Sequence, residues 1–118
     1  PMNEEGIHLV KEHNADGMMG AGAILGHHQP DFFNAIWRGD LASARLIATM
    51  DQRIMDDWFT PELTGKFASA QAIMKAALNL QGLPGGYPRL PILPVKDCHL
   101  EKVRTTLLEL GIKANATI

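Results

Sequence analysis

The sequence has only one cysteine, Cys98, so the chain can form no internal disulfide. Small secreted domains commonly depend on several disulfides, so a reducing compartment is expected, with the cytoplasm as the default location. No apolar run approaches the roughly 20 residues that a membrane-spanning helix needs. The first residues include Glu4 and Glu5, where a secretory signal would carry basic residues. We therefore expect neither secretion nor a membrane partner.

Clusters of basic residues are also lacking. Eleven Lys and Arg stand against thirteen Asp and Glu, which gives a net charge of −2, and the basic residues are scattered along the chain. Nucleic-acid-binding surfaces concentrate positive charge on one face, so a nucleic-acid partner is not expected. With 118 residues, 46% of them hydrophobic, the chain can bury one modest core.

The histidines and glycines form no convincing metal or cofactor motif. His27 and His28 are adjacent, so their side chains point apart, and no further ligand stands at a suitable spacing. Cys98 and His99 are neighbours in sequence, whereas a nucleophile and its base must meet through space. The glycines of residues 17–22 do not follow the dinucleotide-binding order. The sequence predicts no metal and no cofactor.

Five stretches combine an apolar stripe at helical spacing with residues that start and stop helices. They cover residues 3–14, 30–39, 40–60, 67–82 and 97–111. Asn3, Asp40 and Asp97 are the expected N-terminal caps. Residues 83–95 contain four prolines, which predicts an extended path pressed against other structure, and residues 113–118 are expected to fray.

Only one segment reads as a β-strand. Residues 16–26 form a short, glycine-rich apolar run, entered through a turn-like sequence at residues 14–17. Glycine inside a strand usually marks the close approach of a ligand or another backbone. A lone strand leaves its backbone N–H and C=O groups unpaired, which is costly when they are buried. We therefore expect its partner strands to lie outside this chain, which would be the end of something larger.

The order of these parts resembles the C-terminal part of the dihydrodipicolinate synthase and N-acetylneuraminate lyase family. The resemblance extends from about Ala15 to Gly111, and it rests on the order and spacing of several segments rather than on one motif. These segments are residues 15–20 (Ala-Asp-Gly-Met-Met-Gly), 39–45, 67–82, the Pro-rich residues 87–95 and 107–111.

The resemblance implies a (β/α)8 TIM barrel, an α/β fold, that carries a C-terminal helical appendix. Residues 16–26 would be the eighth and last strand, so that residues 1–39 end the barrel and residues 40–118 form the helical region. The chain as supplied would then be mainly α-helical. The chain would then pack against the missing barrel portion of the same protein, which is its expected partner.

The family binds pyruvate, or a related 2-oxo acid, as a Schiff base on a lysine, and forms or cleaves a carbon–carbon bond with an aldehyde. The resemblance places that lysine, a tyrosine and a Thr-Thr pair upstream, so no catalytic residue is expected in this chain. Leu9-Val10-Lys11-Glu12 imitates a strand ending in lysine, but its position does not fit, and Lys11 is interpreted as a surface residue.

Substrate-binding residues are expected at the C-terminal end of the strand, where such barrels place their sites. The resemblance assigns to Met19 a carbonyl that faces the bound carboxylate and lysine, and to Gly20 and Ala21 the position of a Gly-Ser pair in the lyase branch. Ala21 lacks that serine hydroxyl, which argues against a polyhydroxylated sugar-acid substrate. The alternative is that these residues only pack tightly within the barrel.

Two functional hypotheses follow. The first is a C-terminal fragment of a Schiff-base aldolase, lyase or synthase, inactive by itself. The second is a stand-alone helical oligomerisation or interaction module without chemistry. Without a barrel to pack against, the apolar stripes exceed what one small helical core can cover, so the isolated chain is expected to be a homo-oligomer or to be ordered only with other parts of the same enzyme.

Overall fold

The computed structural model of the chain describes residues 2–20, 22–64 and 69–117. Within these ranges the regular secondary structure is helical. The helices are α1 (Glu4–His13), a 3-10 helix (Gly22–Leu25), α2 (His28–Trp37), α3 (Leu41–Trp58), α4 (Pro61–Thr64), α5 (Ala70–Leu80) and α6 (Asp97–Glu109).

Local signals in the sequence account for most of the helix ends. The side chain of Asn3 accepts a hydrogen bond from the Gly6 amide at 3.0 Å, which confirms the predicted cap of α1. Asp40 caps α3 in the same way, since its Oδ1 accepts from the Ser43 amide at 3.1 Å. Gly39 and Gly111 follow α2 and α6 with φ of 83° and 77°, a backbone conformation that glycine adopts without strain. The predicted helices are therefore confirmed, with shifted boundaries.

Three helix starts differ from the prediction, those of α2, α4 and α6, and α2 begins at His28 rather than at Pro30. Asp97 is the first residue of α6 rather than its cap, and Lys96 precedes the helix without a side-chain capping bond. The described part of α5 begins after Ser69, whose hydroxyl accepts from the Ala72 amide at 3.3 Å, while residues 65–68 lie outside the described ranges. The short α4 was not predicted. It begins at Pro61, a residue suited to the first helical position.

The predicted strand is wrong for this chain. Residues 14–19 adopt no regular secondary structure, and Gly22–Leu25 form a 3-10 helix in which Ile24 and Leu25 are buried. A strand is stable only when a neighbouring strand pairs with its backbone N–H and C=O groups, and no strand occurs among the described residues. The apolar run therefore buries part of its surface in a local helical turn instead.

The first of two compact units extends to Arg53. In this unit α1 packs against α2. Its buried core consists of Met2, Ile7, Val10, Phe32, Phe33, Ala35, Ile36 and Ala44. Arg45 forms an ion pair with Glu4, but both side chains are more than half exposed, so the pair contributes little to stability.

The second unit begins at Ile54, and in it α5 packs against α6. Its largest fully buried side chains are Trp58, Leu63, Ile73, Leu80, Val103 and Leu107. The sequence predicted that residues 1–39 end a barrel and that residues 40–118 form a helical appendix. The two compact units do not test this division, so it stays a prediction.

Residues 114–116 of the predicted tail are held by hydrogen bonds and burial, so the prediction of fraying is wrong for this part of it. Ala114 is fully buried, and its carbonyl accepts a hydrogen bond from the Arg104 guanidinium. The Ala116 amide donates to the Leu80 carbonyl at 3.0 Å. These backbone contacts attach the tail to α5 and α6, and they depend on residues far apart in sequence that no local pattern reveals.

The start of the Pro-rich segment is attached to α5 through a tight turn at Gly85 and Gly86. The Lys75 ammonium donates to the Gly85 carbonyl at 3.1 Å. Asn79 both donates to the Gly86 carbonyl (2.9 Å) and accepts from the Gly86 amide (3.1 Å). The expected packing is therefore present at Gly85, whereas Leu90 further along is 82% exposed.

The hydrogen bonds around Asp40 predict a pH dependence of stability. Its pKa lies below the ordinary value, chiefly because the Ser43 hydroxyl donates to Oδ2 at 2.6 Å, with smaller contributions from the Ser43 amide and Arg38. A carboxyl with a lowered folded pKa stabilises the fold above its unfolded pKa of about 3.9, and this contribution disappears as the pH falls through the folded pKa. Asp40→Asn, which keeps the cap but not the charge, should lose less stability between about pH 5 and pH 2. Urea unfolding across this range checks it, and equal losses in both proteins would contradict it.

The close approach at Gly85 predicts that even a methyl group there is destabilising. A Cβ at this position would lie 2.3 Å from the Lys75 carbonyl oxygen and 2.7 Å from Asn79 Oδ1. Gly85→Ala should therefore reduce the free energy of unfolding by about 1 to 3 kcal/mol, the usual range for overpacking. Gly17→Ala is the matched control, because nothing lies within 4 Å of its Cβ. Equal stability of the two variants in urea unfolding would contradict this prediction and would show that α5 shifts to accommodate the methyl group.

Candidate functional site

The residues predicted to bind substrate lie in the irregular segment before the 3-10 helix. Met19 is fully exposed, at 100% of its possible surface. Gly20 follows it, and a Cβ on Gly20 would come within 2.6 Å of the Met18 methyl group, which is the flexible end of a side chain. Ala21 lies outside the described residues. Met19 and Gly20 are thus neighbours along the chain, and their role in substrate binding stays a prediction.

An apolar pocket of about 500 Å³ adjoins this segment, and we call it the unit-1 groove. It is lined by Gly17, Met18, Gly26, Gln29, Pro30, Phe33, Asn34 and Trp37. The Gln29 side chain donates from Nε2 to the Met18 carbonyl at 3.2 Å and so connects α2 to the predicted site segment. The sequence analysis missed both Gln29 and the groove. The available signal was the aromatic pair at positions 33 and 37, one helical turn apart, whose ring centres are 5.9 Å apart.

A smaller pocket of about 230 Å³ lies in the second unit, between α5, the Gly85–Gly86 turn and the start of α6. Lys75 and Asn79 are among its polar lining residues. Both already hold the turn by the hydrogen bonds described above, so their first role is structural.

Several charged side chains in the second unit form ion pairs with one another. Glu62 accepts from the Lys102 ammonium at 2.9 Å, and His99 Nε2 lies 3.7 Å from the same carboxylate. The hydrogen bond from Lys102 lowers the pKa of Glu62, as expected for a carboxylate beside a cation. Lys11, in the last turn of α1, is exposed, which confirms its interpretation as a surface residue.

Two further properties of the described residues bear on function. His, Cys, Asp and Glu side chains in residues 2–20, 22–64 and 69–117 do not come together in a group of three able to hold a metal ion. In the same part of the chain, no helix combines the length and the apolar character required to cross a membrane.

Curated proteins similar to this chain are described as 4-hydroxy-tetrahydrodipicolinate synthases or as a DapA-like lyase. No protein-family model matches the chain. The 4-hydroxy-tetrahydrodipicolinate synthase of Oceanobacillus iheyensis is 30% identical over 95 residues, which cover 79% of this chain and 30% of that protein. The corresponding synthase of Corynebacterium aurimucosum is 31% identical over 102 residues, covering 81% and 31%. An uncharacterised DapA-like lyase of Rhizobium meliloti is 35% identical over 89 residues, covering 74% and 27%.

The fold has a counterpart among solved structures. A crystal structure of dihydrodipicolinate synthase matches with a TM-score of 0.61 at 24% identity, over 80% of this chain and 30% of that one. This likeness concerns the fold alone. The chain spans about a third of the length of the curated relatives it matches. The sequence similarities agree with the resemblance carried by residues 15–111, and the chain belongs to the dihydrodipicolinate synthase family.

Proposed function

We propose that this chain is the C-terminal part of a class I, Schiff-base, pyruvate-dependent enzyme. The parent reaction would form or cleave a carbon–carbon bond between a 2-oxo acid and an aldehyde. One observation carries the proposal: relatives described as synthases match about four fifths of this chain but only about a third of their own length. In this proposal residues 1–39 end a barrel and residues 40–118 form its helical appendix. The protein is cytoplasmic, in keeping with its single cysteine.

The lysines seen in the structure support placing the catalytic amine outside this chain. A lysine that forms an iminium with a 2-oxo acid must be a free amine at working pH, which requires burial in apolar surroundings or a neighbouring cation. Lys102 has the opposite environment, since it is half exposed and pairs with the Glu62 carboxylate. Lys75 is held by the Gly85 carbonyl, and Lys11 faces water. None of these three amines has the setting that the reaction needs.

The chain would contribute substrate contacts rather than the nucleophile. In the complete enzyme the Met19 carbonyl would face the bound carboxylate, and Gly20 and Ala21 would border the aldehyde. The full exposure of Met19 supports this, because the side chain and backbone there are free to meet other parts of the protein. Pyruvate or a related 2-oxo acid is the proposed small-molecule partner.

A second candidate function is a stand-alone helical oligomerisation module. Large exposed apolar side chains favour it, among them Leu90 at 82%, Tyr87 at 68% and Leu46 at 62% exposure. Such side chains mark surfaces that other protein covers. The two candidates differ in what the complete reading frame encodes. An upstream barrel with a lysine at the end of a strand supports the enzyme, and its absence supports the module.

Borohydride trapping with pyruvate tests whether the lysine that forms the Schiff base lies outside residues 1–118. The isolated chain should keep its mass after incubation with pyruvate and borohydride, because the resemblance places the lysine that forms the iminium upstream of this chain. The complete protein should gain one reduced pyruvyl group on a lysine outside residues 1–118. Intact-mass measurement followed by peptide mapping checks both results. A stable adduct on any lysine of the isolated chain would contradict the proposal.

Ala21→Ser in the complete protein tests the substrate contact. If this position borders the aldehyde, the added hydroxyl should change kcat/KM between a polyhydroxylated and an apolar aldehyde more than it changes the KM for pyruvate. A hydrogen bond to a substrate hydroxyl commonly supplies about 1 kcal/mol, or several-fold in this ratio. Ala42→Ser makes the same chemical change at an exposed position of α3 and is the control for general effects of the substitution. Parallel losses for pyruvate and both aldehydes would show that position 21 only packs.

A further inference from the structure

The residue before the proposed substrate contacts is held from two sides. The Met18 side chain is partly buried and packs against the core of the first unit. The Met18 carbonyl accepts a hydrogen bond from Gln29 Nε2 at 3.2 Å. Met19, the next residue, is fully exposed. The chain therefore passes from a held residue to an exposed one within a single peptide bond.

Gln29 makes this contact from a well-anchored helix. It is the second residue of α2, and Phe32 and Phe33 of the same helix are buried in the core. A side chain that starts from a packed helix has a fixed origin, and groups on helices and strands hold a site more accurately than groups on loops do. The amide of Gln29 therefore reaches the Met18 carbonyl from a rigid support.

The hydrogen bond acts on the peptide unit that joins Met18 to Met19. Because a peptide unit is planar, a donor that holds its carbonyl also fixes the direction of the N–H on the other side. Only the two backbone dihedral angles of Met19 then separate this plane from the Met19 carbonyl. A side chain that holds one carbonyl thus limits the directions in which the next one can point.

The Met18 side chain restricts the segment beyond Met19 as well. A Cβ on Gly20 would lie 2.6 Å from the Met18 methyl group, so that methyl group lies beside the Gly20 backbone. Met19 therefore stands between two residues that approach each other. Its backbone is constrained on both sides, although its side chain is exposed.

We propose that Gln29 is a positioning residue of the substrate site: by holding the Met18 carbonyl, it sets the direction in which the Met19 carbonyl meets a bound 2-oxo acid. This inference rests on the proposed function. Gln29 acts through the backbone and does not itself touch the substrate. A carbonyl oxygen has two lone pairs, so Met18 can keep this bond when other protein also contacts it.

Gln29→Met in the complete protein tests this role. Methionine has the same length as glutamine and suits the apolar unit-1 groove, but it cannot donate to Met18. The pyruvate concentration that gives half-maximal borohydride trapping should rise about fivefold, the factor that one neutral hydrogen bond commonly supplies. The KM for the aldehyde and the free energy of unfolding should stay unchanged. An unchanged pyruvate dependence would overturn the proposal, and so would parallel losses for both substrates together with lower stability.

Asn34→Leu is the matched control. Asn34 also lines the unit-1 groove, so the substitution likewise replaces an amide by an apolar side chain of similar size. It should leave the pyruvate dependence as in the wild type. An equal rise in both variants would show that the groove, and not the hydrogen bond from Gln29, determines pyruvate binding.

Hydrogen exchange gives a second measurement that needs no substrate. Without pyruvate, residues 17–20 of the complete protein should exchange several-fold faster in Gln29→Met than in the wild type, because the segment loses its hydrogen bond to α2. Asn34→Leu should exchange like the wild type there. Unchanged exchange in Gln29→Met would show that Gln29 does not hold this segment and would overturn the proposal.

The positioning role and the proposed function fail in different ways. If the wild-type complete protein forms no pyruvyl adduct, the Schiff-base chemistry is removed, and the role of Gln29 is removed with it. If an adduct forms with the same pyruvate dependence in the wild type and in Gln29→Met, the chemistry stands and only the role of Gln29 is overturned.

Discussion

Pairing of backbone hydrogen bonds is the constraint on which the first unit depends. An apolar, glycine-rich run becomes a strand only where a neighbour accepts and donates along its edge. Without such a neighbour in the described residues, the run from 16 to 26 divides into an irregular segment and a 3-10 helix. The side-chain amide of Gln29 then donates a hydrogen bond to the Met18 carbonyl. The local conformation thus reflects which partners are present as much as it reflects the sequence.

The second unit meets the same requirement from its own residues. Asn79 both donates to and accepts from the backbone of Gly86, and the Lys75 ammonium donates to the carbonyl of Gly85. The tail is secured likewise, through Arg104 and the Ala116 amide. Because the Pro-rich turn and the C-terminal residues both attach to α5 or α6, this unit contains the partners that its irregular segments need.

The difference between what could and could not be predicted follows from the range of each interaction. Helices capped by Asn3 and Asp40 were predictable, because a cap and its amide lie three residues apart. The order of the tail was not, since it depends on contacts with α5 and α6 that no periodic pattern encodes. For the candidate site, the sequence indicated Met19 and Gly20, but Gln29 became visible only when folding brought it to Met18. The strand prediction recognised that such a run needs neighbours to pair with, yet it assigned the paired conformation to residues that have no strand neighbour among those described.

Family membership and exposed surface support the same interpretation by independent routes. The similarity to the synthases is a comparison of sequences, so it does not depend on which side chains are exposed in the structure. The exposure of Met19 and Trp37 concerns only the structure and would be seen without any relative. Met19 and Trp37 both lie within residues 1–39, which the resemblance assigns to the end of a barrel. Since a fully exposed methionine and a half-exposed tryptophan are costly to leave in water, this face has the character of a surface that other protein covers.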